Sequence, residues 1–257
     1  MMNDFTTNKY TEFLNALVKV NFPIYTIVEW IEKNPSKGLI LRHDVDRKPK
    51  QAIKIGKIAA ECGVIGTFNF RVLRDKTDKN AVIDISNMGH EIGYHYEDLS
   101  IAKGNINTAV EYFEKNLKLL REIADVKTAT MHGRPLSKYD NRDIWKFTNV
   151  ERFNLTGEAY KSINYTNIYY LTDTGRTWGE TNANLRDSAL DSLQTPKGLK
   201  TTDSVKKFIK SNPNISVAIV FHPERWSSNS TQLFFQATID FLTSTIKKII
   251  KVIRKFI

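Results

Sequence analysis

The segment Gly38-Leu39-Ile40-Leu41 reads as a buried strand, and it opens directly into Arg42-His43-Asp44-Val45-Asp46. Residues i and i+2 on a strand point to the same side. Asp44 and Asp46 therefore project together, about 7 Å apart, at a strand end. One carboxylate of such a pair can hold a metal while the other takes a proton from water. Asp is also common where a strand exits into a loop. The crowding of His43, Asp44 and Asp46 where a core strand would stay apolar favours the chemical reading.

Strand-like and helix-like segments alternate along the chain. Tyr10 to Val20 and Tyr25 to Glu32 read as two N-terminal helices, and the first strand follows at Gly38. Lys48 to Cys62 spaces Ile53, Ile55, Ile58, Ala59 and Cys62 largely on a helical period, with Gly63 as a stop. Strands are expected at Gly66 to Val72, Glu91 to Tyr96, Thr128 to Met131, Ile168 to Thr172 and Ile215 to Phe221. Ile106 to Ala124 reads as a long amphipathic helix, and Lys206 to Ile209 sits in a shorter one. Arg176 to Thr202, rich in Thr, Asn, Asp and Gly, reads as a long loop on the functional face. Such alternation predicts an α/β fold of parallel strands with crossover helices, read as one domain over residues 1–257. The N-terminal helices fall at about 8–33 and a C-terminal basic helix at about 233–257.

Cys62 is the single cysteine, so no intrachain disulfide forms. The N-terminal residues lack the basic and apolar regions of a secretory signal, and no apolar run reaches membrane-spanning length. The expectation is a cytoplasmic protein. Net charge is +10, half of it from Lys247, Lys248, Lys251, Arg254 and Lys255, which have no acid among them. Their alternation with Ile249, Ile250, Val252, Ile253 and Phe256 fits an amphipathic helix with a basic face. Packing of its apolar stripe on the barrel is the preferred expectation, and peripheral contact with an anionic membrane is the alternative. No nucleic-acid-binding motif accompanies the charge, so nucleic acid is not an expected partner.

Of the five histidines, four lie at or just after the C-terminal end of a predicted strand: His43, His95, His132 and His222. In a parallel barrel those ends share the face on which active sites are built. A lone histidine there is more often a satisfied hydrogen-bonding residue; their convergence points to a metal site with acid–base partners. His90 enters its strand from the opposite end and is expected to be structural.

The ordered motifs resemble those of the polysaccharide deacetylases of carbohydrate esterase family 4, over roughly Gly38 to Trp226. Asp44-Val45-Asp46 looks like the first motif, whose first Asp is the catalytic base and whose second binds the metal. Gly89-His90-Glu91-Ile92-Gly93-Tyr94-His95 is similar to the second motif, with its terminal His as a metal ligand. His132-Gly133-Arg134-Pro135 is similar to the groove motif, and Asp173-Thr174-Gly175-Arg176-Thr177-Trp178 loosely resembles the motif lining the other wall. His222 falls where the family places its general acid. The resemblance implies a distorted (β/α) barrel of about seven parallel strands.

One departure bears on the ligand set. The family's second motif continues to another metal-binding His, and here that position is Leu99, which cannot ligate. His132 is the first candidate for the third ligand, since it would restore an Asp-His-His set suited to zinc; Glu97 is the second, and also reads as a substrate contact.

The resemblance implies metal-assisted hydrolysis of an N-acetyl or related acyl group on a sugar. Asp46, His95 and His132 would hold a divalent ion, zinc first. Asp44 would take the proton of the attacking water and His222 would protonate the leaving amine. Glu224 is open between orienting His222 and a surface pair with Arg225. Arg42, Arg134, Arg176 and Arg186 are placed in or near functional-face loops, where they could meet phosphate or carboxylate. Trp178 and Trp226 could stack on sugar rings or simply pack at the rim. A cytoplasmic nucleotide- or lipid-linked glycan precursor is the expected substrate. The alternatives are a catalytically silent carbohydrate-binding barrel, suggested by Leu99, and a metal-dependent amidase on a non-sugar amide.

Overall fold

The computed structural model describes residues 4–134, 137–178, 189 and 191–253. Its centre is the strand β2 (Gly38–Val45), buried at every position, as expected of a strand covered on both faces. The other strands are β1 (Ile24–Tyr25), β3 (Thr67–Phe70), β4 (Glu91–Tyr96), β5 (Val126–Met131), β6 (Gly157–Glu158), β7 (Ile168–Thr172) and β8 (Ser216–Phe221). They run in the order β6-β5-β4-β3-β2-β8-β7, with β1 beside β2, and every pairing is parallel. Seven parallel strands thus form the expected distorted barrel. Among the described residues β6 and β7 do not pair, so the barrel is open between them.

Among the described residues, eight α-helices supply the crossovers and the covers: α1 (Thr7–Val18), α2 (Ile27–Lys33), α3 (Pro49–Glu61), α4 (Lys79–Asn87), α5 (Asp98–Ile101), α6 (Ile106–Arg121), α7 (Thr202–Ser211) and α8 (Ser230–Ile253). Their starts follow local chemistry. Thr6, Asp78 and Asn105 each accept a backbone N–H at an N-terminus, Thr26 with Glu29 and Thr201 with Ser204 form capping boxes, and Pro49 opens α3.

The two-residue period of β2 sorts its side chains into two layers. Leu39, Leu41 and Val45 join the main apolar layer with α1, α3, α4 and α6. Ile40 joins Ala218, Val220, Ile168 and Tyr170 in a second cluster, which includes Ile27 and Trp30 of α2. Helix α2 closes the N-terminal end of the barrel: its Ile27 N–H donates to Thr67 Oγ1 and its Val28 N–H to Glu91 Oε2. The C-terminal strand ends are left for the site.

The two-residue strands β1 and β6, too short to show a period, were not expected from the sequence. Part of the loop expected over Arg176 to Thr202, residues 179–188 and 190, with Arg186, lies outside the described residues. The C-terminal helix forms over Ser230–Ile253, and the basic stripe expected to pack lies outside the described side chains. It meets the body through Gln236 and Asp240, while Phe234, Phe235, Ile239, Phe241 and Leu242 are exposed.

Candidate metal centre and proton-donor pair

Arg42 and Asp44 share the same side of β2, and Asp46 follows beyond its end. Arg42 is a correction to the sequence reading: it is buried within β2 and makes a two-point pair with Asp44, Nε to Oδ1 at 2.9 Å and Nη2 to Oδ2 at 2.6 Å. Its guanidinium also donates to the Tyr170 hydroxyl and lies over the Tyr160 ring. Asn69 donates to Asp44 Oδ1 at 2.9 Å. Gly93 makes room for Asn69, since a Cβ there would stand 2.1 Å from Asn69 Oδ1. Burial opposes the charge on Asp44, but Arg42 and His95 outweigh it and hold the carboxyl below the usual carboxylate range. Asp44 is a fixed anion.

Asp46 Oδ1, His95 Nε2 and one ring nitrogen of His132 converge from three strand ends, with ligand atoms within 4.8 Å of one another. His95 Nε2 is 3.3 Å and His132 Nε2 3.5 Å from Asp46 Oδ1. His95 directs Nδ1 to the Thr130 carbonyl at 3.0 Å, and His132 directs Nδ1 to Glu97 Oε2 at 3.1 Å. Both rings therefore turn Nε2 toward the same point. Asp46 Oδ1 is buried and accepts no hydrogen bond. A buried carboxylate oxygen without a donor, faced by two oriented imidazole nitrogens, fits a divalent cation of the zinc type.

Glu97 does not present itself to substrate, a correction to its expected contact role. It is buried and paired with Arg71 and His132, with Arg134 Nη1 at 3.4 Å. Burial raises its pKa, but His132 and Arg71 bring it down to about 2, so its anion fixes the His132 ring. Arg71 also donates to the Asp46 carbonyl at 3.2 Å. A charged residue immediately after β3 was the available signal for Arg71. Arg134 keeps 43% of its side chain exposed at the rim. Leu99 lies in α5 with the main apolar layer.

Opposite stands His222, just past β8. Asp173, just past β7, accepts its ring Nδ1 at 2.6 Å and its backbone N–H at 2.8 Å. Asp173 also accepts Trp226 Nε1 at 2.8 Å. Burial and Arg225 lower the pKa of His222, yet Asp173 and Asp46 raise it to a net value of about 9. The ring is charged at neutral pH and Nε2 is left for the site. Asp173 was legible as a wall motif, not as this partner.

Glu224 is buried, which excludes the surface pair, and the orienting group of His222 is Asp173. Burial and the charge of Asp46 raise Glu224 to about 7, and its Oε2 has no partner. Trp178 and Trp226 are core residues, not sugar platforms. Phe5 packs against both rings, and Trp178 Nε1 donates to Thr202. Arg176 is likewise a tie: it lies over Phe5 and reaches the Arg225 carbonyl and Asp240. His43 is packed between Phe68 and Phe221, bonded to the Tyr10 hydroxyl, and burial lowers it to about 3. His90 is structural, bonded to Gly66 and Gly56 backbone.

No family model matches the chain, and no curated protein matches it. Among solved structures it is similar to a CE4 family pseudoenzyme from Bacillus anthracis, at 14% identity and a TM-score of 0.47, covering 84% of this chain and 61% of that one. It is also similar to a Streptococcus mutans CE4 esterase, at 19% identity, TM-score 0.45 and 89% of each chain. A third is a peptidoglycan N-acetylglucosamine deacetylase, at 16% identity, TM-score 0.44, 83% of this chain and 87% of that one. The chain thus spans about three fifths of the pseudoenzyme's length. In its ordered motifs the chain resembles the polysaccharide deacetylases of carbohydrate esterase family 4.

Proposed function

We propose that this protein is a metal-dependent hydrolase that removes an N-acetyl or related acyl group from a sugar. The observation that carries the reading is the facing of two sets on one strand-end surface. The Asp46, His95 and His132 cluster lies beside the fixed anion Asp44, and the charged His222–Asp173 pair shares its electrostatic field.

Asp44 is in acceptor form at any working pH, because Arg42 and Asn69 hold it so. A carboxylate held that low is a weak base toward ordinary water. A divalent ion held by Asp46, His95 and His132 would supply a more acidic water and polarise the acyl carbonyl. Asp44 then takes the proton of the attacking water, and the water oxygen bonds to the acyl carbon. His222 gives its Nε2 proton to the sugar nitrogen as the carbon–nitrogen bond breaks, releasing carboxylic acid and amine. Arg134, half-exposed at the rim, is the cation we assign to the substrate's anionic part.

The substrate class we infer is a nucleotide- or lipid-linked glycan precursor. The test is acetate release from a panel of N-acetylated nucleotide and lipid-linked sugars, with zinc-loaded and chelated protein. Release that needs the metal supports the proposal. Bound metal without acetate release points instead to a different amide, and neither metal nor release to a silent carbohydrate-binding barrel.

A further inference from the structure

Among its described side chains, helix α8 turns polar residues inward and large apolar ones outward. Its buried side chains among those described are polar and tie it to the body: Lys48 Nζ donates to Gln236 at 2.7 Å and Arg176 lies 3.4 Å from Asp240, while Gln236 donates to Asp240 within the helix at 3.1 Å. Its outward side carries Phe234, Phe235 and Phe241, which are 70%, 63% and 71% exposed, with Ile239 and Leu242 also open. A folded chain rarely leaves so many large apolar side chains on one side of a helix without something to cover them. After Asp240 the sequence holds no acid, and Lys247, Lys248 and Lys251 follow within the helix. No helix among the described residues is long and apolar enough to cross a membrane.

We propose that α8 is an interfacial helix that docks the protein on an anionic lipid bilayer. Aromatic and aliphatic side chains outward, with cations and no acids in the following turns, are what an anionic leaflet recognises. A second copy packed in parallel would bring the same lysines together and repel, whereas a leaflet of opposite charge attracts them. The helix is also joined to the catalytic rim. Arg176 links Asp240 to the Arg225 carbonyl, and Arg225 donates to the Asp173 carbonyl beside His222. Docking through α8 would hold the site at the lipid surface, which favours a lipid-linked sugar as substrate, a consequence that rests on the hydrolase reading above.

The test is co-sedimentation of the full chain with vesicles of phosphatidylcholine alone or with about one third phosphatidylglycerol, a readout independent of catalysis. The expected result is binding to the anionic vesicles only, weakened by salt. A triple Phe234→Ser, Phe235→Ser, Phe241→Ser variant should bind at least tenfold more weakly with an unchanged melting temperature, because these side chains support no packing. Lys247→Glu, Lys248→Glu, Lys251→Glu should lose the preference for anionic lipid. Failure of the wild-type chain to bind either vesicle overturns the proposal. So does a stable dimer that the serine variant converts to monomer, which would make a second copy the cover.

Discussion

On the β2, β4 and β5 side of the strand-end face, Asp46, His95 and His132 turn three ligand atoms toward one point and leave Asp46 Oδ1 without a donor. On the β7 and β8 side, Asp173 accepts three hydrogen bonds and holds one charged imidazole. The first wall turns one carboxylate oxygen and two imidazole nitrogens toward a point where, among the described residues, Asp46 Oδ1 has no hydrogen-bond donor. The second is complete as it stands. In the proposed reading, the proton-donor pair is organised without a ligand, whereas the Asp46, His95 and His132 wall would be completed by a divalent ion. Chelation should therefore silence the first wall and leave the second in place.

The sharpest test of that division is Asp44→Asn. Asp44 belongs to the first wall and is not one of the three converging ligands, so the variant should keep its metal and lose about 100-fold or more in turnover. It should also lose stability, on the order of 3 kcal/mol, because Arg42 remains buried with no counter-charge. Metal content, turnover and melting temperature measured together separate these effects. Near wild-type turnover would remove Asp44 from the role of base.

Within the first wall, the ligand should be separable from the group that aims it. His132→Ala removes a converging nitrogen, whereas Glu97→Ala removes only the anion that fixes its ring. A chelator competition should show a severe loss of zinc affinity for the first and roughly 10- to 100-fold for the second. The reverse ranking would make Glu97 the ligand.

The parts of this arrangement that could be read from sequence are those written in local runs. The strand before Asp44 and the strand-end histidines are local patterns from which the α/β class was legible, while the barrel was implied by the family resemblance; Asp46, His95 and His132 do converge. Partnerships across the sheet were not. Asp173 and His222 are 49 residues apart and meet because β7 and β8 pair in parallel. Arg42 read as a loop cation because charge is rare inside a strand, yet the two-residue period already put it on the side of Asp44. Trp178 looked like a sugar platform until Phe5, from the far end of the chain, packed against its face. In α8 the helical period was legible, but which side would meet the barrel was decided by the polar contacts of Gln236 and Asp240.

The smallest effect expected is on the second wall, and it is read in a pH profile. His222 must be protonated to deliver a proton to the leaving amine, and its pKa is raised to about 9. Activity that depends on it is present below that value and lost as pH rises through it. A cation beside Asp46 neutralises one of the charges that raise the ring, so the alkaline limb of the loaded enzyme should lie at or below that point. Asp173→Asn removes the other. A hydrogen bond to a charged group contributes about 1.5–3 kcal/mol, which moves the limb down by about one to two pH units toward the free imidazole. Turnover at pH 6 should then fall much less than turnover at pH 8.5. An even loss at all pH values, with the limb unmoved, would mean that Asp173 only braces Trp226 and the β7–β8 turn, and the second wall would no longer be a tuned proton donor.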